Sequence, residues 1–216
     1  MKDTYNVIAD ESYGEYKEKG SKFQAYAYPV RSVDEVEIYL DDLRSQHPKA
    51  RHFCYAYRIG LEGEEYRAND DGEPSGTAGK PILGQLLSFE VSDTFIVVVR
   101  YFGGTKLGAS GLISAYKQSA SEALNASKIK ERVLTKTFRI QFDYAEMGHV
   151  LNVIKNLDLE ITNKYFEAIA YVDIELPLSR IDETLVTLKA NLLQISEEQI
   201  NEETDLKFCT INELDS

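Results

Sequence analysis

Two glycine-rich segments, DDGEPSGTAGKP from Asp70 to Pro81 and RYFGGTKLGASG from Arg100 to Gly111, constrain this chain more than any other feature. Each lies between a strand-like run and a helix-like run. Ahead of the first, Phe53, Tyr55 and Tyr57 alternate with His52, Cys54, Ala56 and Arg58, the period of one strand's two faces, and Glu64 to Arg67 is placed as its hairpin partner. Behind it, Ile82, Leu83, Leu86 and Leu87 fall at helical spacing. Ahead of the second, the continuous Ile and Val content of Thr94 to Tyr101 reads as a buried strand, and a helix is expected from about Ala109 to Ala126. Two strand–loop–helix joints in close succession argue for a fold that mixes helices and strands.

The flanking sequence extends this grammar. Thr4 to Ala9, Gly14 to Lys19 and Phe23 to Pro29 read as an opening meander of strands. Ser32, with Glu35 three residues on, predicts a capped helix that Pro48 closes, and its Asp34, Glu37, Asp41 and Asp42 read as a solvated face. After a charged junction near Lys128 to Lys136 the order becomes strand (Val133 to Phe142), helix (Ala145 to Asn156), strands (Leu159 to Tyr165 and Ala168 to Leu176), helix (Ser179 to Leu193) and a last strand near Asp205 to Thr210. This β-α-β-β-α-β order is ferredoxin-like. The fold class is therefore α+β, with a boundary dividing residues 1–133 from residues 134–216.

Neither glycine segment matches a standard ligand loop. An EF-hand register on Gly72 puts Arg67 first and Ala78 last, where oxygen ligands are required. A Walker A register fails because Pro74 stands at the glycine position and Pro81 follows Lys80. The second segment lacks dinucleotide-binding spacing. What remains is general chemistry with two readings: backbone amides near Gly76 and Gly79 at a helix N-terminus, with Lys80, form an anion site, or the acidic residues of the segment themselves complement that helix start while Gly and Pro shape the turn. Gly103, Gly104, Arg100 and Lys106 repeat that logic. Asp70, Asp71 and Glu73 are weak candidate Mg²⁺ ligands or else orient Arg side chains, and no other cofactor is expected.

His52 and Cys54 point to one face of their strand, which reads as a buried thiol beside a hydrogen-bonded ring more readily than as a nucleophile pair. Ser114 to Lys117 matches SxxK without its companion motifs. Phe53, Tyr55 and Tyr57 are either a base-stacking row beside Arg51 and Arg58 or, more commonly, core.

Charge and composition bound the partners. The longest strongly apolar run, Phe95 to Val99, is far short of the roughly 20 residues that span a bilayer. With no secretory signal at Met1-Lys2-Asp3 and only two cysteines, a cytoplasmic protein without membrane contact is expected. The net charge of −12 is unevenly spread: through Lys136 there are 18 Lys and Arg against 20 Asp and Glu, and beyond it 6 against 16. The first region is close to neutral at −2, so nucleic acid is not excluded there, while the second, at −10, fits a protein partner.

The two glycine segments, extended as DDGEPSGTAGKPILGQL and VVVRYFGGTKLGASGLISAY, together with HFCYAYRIG, resemble the YigZ/IMPACT family over roughly residues 15 to 125. The tail resembles the extra C-terminal domain of the family's bacterial members. The resemblance implies an N-terminal domain similar to the second domain of small-subunit ribosomal protein five (S5 domain 2-like) and a C-terminal domain similar to the last domain of elongation factor G. The order of the two domains also resembles the tail of a translation factor, whereas the role of the eukaryotic relatives in control of translation initiation runs through an additional N-terminal domain and is not carried over to this chain. The family's Gly-Gly-Leu and following Arg stand here as Ser110-Gly111-Leu112 and Ser114.

Two functional expectations follow. The first is a non-catalytic binding protein acting in translation or its stress regulation through RNA or ribosome contacts, with Lys80, Arg100, Lys106, His52 and the amides of Gly76, Gly79, Gly103 and Gly104 as phosphate contacts. The second is an enzyme acting on a small phosphorylated substrate with Mg²⁺.

Overall fold

The computed structural model describes residues 3–167, 169–201 and 204–214. The chain divides into two compact units, one spanning Thr4–Arg132 and the other comprising Asp3 and the residues from Val133 onward.

In the first unit, β2 (Ser12–Glu18), β3 (Ser21–Pro29), β4 (His52–Ile59), β5 (Glu65–Asn69) and β6 (Thr94–Tyr101) form a five-stranded sheet of order β2-β3-β6-β4-β5. β4 runs antiparallel to both β5 and β6, so those two strands are parallel and end at the same edge of the sheet. From that edge β5 leads into α2 (Gly79–Ser88) and β6 into α3 (Gly108–Ala126). The sheet is covered on both faces. Phe23, Ala25, Cys54, Ala56, Ile96 and Val98 pack against Ile82 and Leu86 of α2 and Ala115, Tyr116 and Ala120 of α3. On the other face Phe53, Tyr55, Tyr57, Phe95 and Val97 pack against Val36, Leu40 and Leu43 of α1 (Val33–Gln46). The aromatic row of β4 is therefore core, and a base-stacking role for it is ruled out by burial.

Local chemistry explains α1. The Ser32 hydroxyl accepts from the Glu35 amide at 3.3 Å, as the capping pattern requires, while the Glu35 carboxylate accepts from the Arg31 amide instead of that of Ser32. The expected meander needs correction. β1 (Thr4–Ile8) does not join the large sheet but pairs with β7 (Ile129–Val133), within what had read as a charged junction. A backbone bond from Ala9 to Lys128 (2.8 Å) and a bridge from Asn6 to Val91 fix it there. Pairing across such a sequence separation leaves no local signature.

The second unit is a four-stranded antiparallel sheet of β8 (Thr135–Phe142), β9 (Ile161–Phe166), β10 (Ala170–Pro177) and β11 (Cys209–Glu213), ordered β11-β8-β10-β9, with α4 (Met147–Asn156) and α5 (Ile181–Leu193) between strands. This is the ferredoxin-like arrangement. Several boundaries shift: each helix is preceded by a 3-10 turn, β9 begins at Ile161 instead of Leu159, and the last strand begins at Cys209, with Leu206 packed into the core ahead of the ladder. The expected strand start at Ala168 lies outside the described residues. Asp3 belongs to this unit because its carbonyl accepts from Leu134 (2.7 Å) and its carboxylate from the Ser179 amide (3.1 Å). Across the helix-free face Arg139 forks onto Asp173 (2.7 and 2.9 Å) and stacks on Tyr171, 3.8 Å from the ring centroid. Among the described residues no helix is long and apolar enough to cross a membrane.

Candidate functional site

The two parallel strand–loop–helix joints place both glycine segments at one edge of the first unit's sheet. They solve the same problem, the exposed amides of a helix start, in different ways.

In the first loop, Asp71 and Gly72 both have positive φ (41° and 86°), and the Glu73 amide donates to the Asp70 carbonyl at 2.9 Å. Two successive positive φ values define a type I′ turn, where glycine is the low-strain choice. The turn aims three carboxylates in three directions. Asp70 accepts from the amides of Ala78 and Gly79 (both 2.9 Å) and Gly76 (2.8 Å), so it occupies the α2 N-terminus from within the chain. Burial raises the Asp70 pKa, but those three amides and nearby Lys80 outweigh it and hold the carboxyl below the usual range. Asp71 accepts from the Phe53 amide at 2.6 Å. Glu73 is buried against Arg100 and also accepts from the Tyr116 hydroxyl at 2.8 Å.

These bonds revise the sequence reading of the segment. The amides around Gly76 and Gly79 are taken by Asp70. Asp70, Asp71 and Glu73 do not converge as metal ligands, and among the described residues no group of three or more His, Cys, Asp or Glu side chains is placed to hold a metal ion. Gly79 is required for a close approach: a Cβ there would lie 2.5 Å from the Asn69 backbone nitrogen.

Arg100 is likewise committed. Its side chain is 8% exposed and that of Glu73 is 4%, and the guanidinium lies 5.4 Å from the Phe23 ring centroid and 5.7 Å from that of Phe102. It is a buried ion-pair member rather than a surface phosphate contact. Among the described residues its Nε is a buried nitrogen with no hydrogen-bond partner. Cys54 continues the network, its thiol 3.0 Å from the Asp70 carbonyl and 3.2 Å from the Tyr116 hydroxyl. Burial pushes the Cys54 thiol far above its ordinary value, the opposite of what a nucleophile needs. His52 sits opposite Arg100 on the sheet, with Nδ1 2.9 Å from the Asp71 carbonyl. A carbonyl only accepts, so Nδ1 is the donor in this contact. Ser114 and Lys117 lie exposed on the outer side of α3.

The second loop is open. α3 is 19 residues long, begins at Gly108 with Leu107 at its cap position, has no side-chain cap and has no acidic residue in its first turn. Gly104 and Gly108 have positive φ (86° and 74°), and a Cβ on either would meet nothing within 4 Å. Gly103, in contrast, is held against the β2–β3 turn: a Cβ would lie 1.8 Å from the Gly20 carbonyl carbon. Lys106 and Lys80 are exposed. Phe102, directly after β6 and with Arg100 against its ring, is 61% exposed and was passed over by the sequence reading. An aromatic residue directly before a glycine pair, just past the end of a buried strand, was the available signal.

Comparison with known proteins fits this geometry. The family model described as the Impact N-terminal domain matches residues 19–124, spanning both loops. The IMPACT family member YvyE of Bacillus subtilis is 39% identical over 155 residues, covering 72% of this chain and 71% of that protein. This chain belongs to the IMPACT family. The IMPACT family member YigZ of Escherichia coli is 31% identical over 167 residues, covering 76% of this chain and 82% of its own length. A crystal structure described only as a hypothetical protein superposes with a TM-score of 0.65 at 28% identity, covering 94% of this chain and all of that one. The stretches shared with YvyE and YigZ, 155 and 167 residues, are longer than the first unit alone, and the family model spans both loops.

Proposed function

We propose that this IMPACT-family chain is a non-catalytic binding protein that acts in translation or its stress regulation by contacting single-stranded RNA, free or on the ribosome. The observation that carries the reading is the open start of α3, where uncapped amides, Lys106 and the exposed Phe102 occur together. Amides at a long helix start favour a phosphate, lysine adds charge, and an exposed aromatic ring stacks on any base. Lys80 adds a second cation from the neighbouring helix. Arg100 acts at one remove, as the buried residue beside Phe102. The Mg²⁺-enzyme alternative draws no support from the first loop, whose carboxylates are engaged with amides, Arg100 and Tyr116.

Co-sedimentation with ribosomes and titration of a labelled RNA oligonucleotide across a salt series test this reading. Binding must strengthen as salt falls. Phe102→Ala is expected to weaken it about tenfold or more, and Lys106→Ala to lower the log–log salt slope by about 1. Absence of association at low salt, or indifference to both substitutions, would overturn the assignment.

A further inference from the structure

The second unit contains a groove of about 370 Å³ between the turn that joins α4 to β9, the end of β10 and the first turns of α5. It exists because the sheet edge is notched. β9 begins at Ile161 opposite Ile174, after a register shift at Asp173/Ile174. The last residues of β10, Glu175, Leu176 and Pro177, pair with Thr137, Lys136 and Thr135 of β8 on one side. On the other side, among the described residues, they have no strand beside them. Leu159 and Leu176 line the groove, and Asp158, Glu160, Glu175 and Glu183 stand around it against Arg180 alone. Asp158 is fixed there in a left-handed conformation (φ 52°) by the bonds that close α4, from Asp158 to Lys155 (3.1 Å) and Leu159 to Ile154 (3.1 Å).

We propose that this groove docks an extended, basic segment of a partner protein, which continues the line of β9 along the overhang of β10 and sets Lys or Arg side chains against the acidic rim. Three features converge on that occupant. The overhang has room for about three residues of strand at ~3.3 Å each. The apolar lining takes the alternate side chains of an extended chain, as in strand addition to a sheet edge. The charge of the chain beyond Lys136, −10, and four carboxylates against one arginine at the groove select a cationic partner and disfavour nucleic acid and a second copy of the same acidic unit. The inference is independent of the RNA reading of the first unit.

The test uses the full chain and a blocked ten-residue peptide of alternating Lys and Val, followed by fluorescence anisotropy and by amide chemical shifts. Shift changes are expected at Leu157–Glu160, Glu175–Leu176 and Arg180–Thr187, with affinity falling as salt rises. Glu160→Gln with Glu183→Gln should weaken binding about tenfold, whereas Asp34→Asn with Glu37→Gln on α1 should leave it unchanged. Equal binding of the Glu–Val counterpart, indifference to the groove substitutions, or shifts centred on α1 would each overturn the proposal.

Discussion

The two glycine loops stand side by side, follow parallel strands and open helices that pack together, yet one is closed upon itself and the other is not. The loop before α2 supplies its own anion: Asp70 fills the helix start, and Glu73 neutralises Arg100. The loop before α3 supplies none, and presents amides, Lys106 and Phe102 outward. A glycine-rich strand-to-helix joint is therefore a capacity for anions rather than a site. Whether the chain carries a carboxylate that reaches back decides which it becomes.

The comparison can be broken most severely at Glu73. Glu73→Gln leaves Arg100 buried without its counter-charge and is expected to cost about 3–5 kcal/mol in urea unfolding, much of it recovered when Arg100→Met is added. Asp70→Ala should cost about 2 kcal/mol, as for a strong helix cap. It should also convert the closed loop into an open one, so that inorganic phosphate raises the melting temperature of the variant more than that of the parent. The reverse exchange is gentler. Ser110→Glu places a carboxylate in the first turn of α3, stabilising the helix by about 0.5 kcal/mol while weakening RNA binding.

The smallest effect is the pH dependence of the first unit. His47 has its ring nitrogens 3.0 Å from the Tyr26 hydroxyl and 2.8 Å from that of Tyr101, and burial, then Lys22, lowers its pKa below 6.5. The folded state thus prefers the neutral ring. Its contribution is complete above 6.5 and declines as the pH falls from there toward the lowered value, a slope that His47→Gln should remove from a stability–pH profile. Asp70, also lowered, contributes above the ordinary carboxylate range and is lost only as the pH falls through its own value, so its decline lies at more acid pH.

Most of the architecture was legible because it is written in short-range patterns. Ser32 and Glu35 mark α1, alternation marks β4, and the order of periods marks the ferredoxin-like unit. The site was half legible. Sequence placed both loops at helix starts but left open whether Gly76, Gly79 and Arg100 serve a ligand or the chain's own carboxylates, because the side chain that occupies those amides lies several residues upstream and reaches them only through a turn with two positive φ values. Alternation likewise gave β4 two faces without saying that α1 covers the aromatic one. The pairing of β1 with β7 and the exposure of Phe102 depend on contacts between distant segments, which no local period records.

The two cysteines have a practical consequence. Cys54 is buried in the first unit and Cys209 in the second, and burial raises both thiols, that of Cys209 to about 11. Each is shielded and poorly ionised while its own unit is closed. The chain thus holds one native chemical clock per unit. Alkylation rates at the two positions, read by mass spectrometry, time the opening of each unit without any introduced label and report whether they open together or in turn.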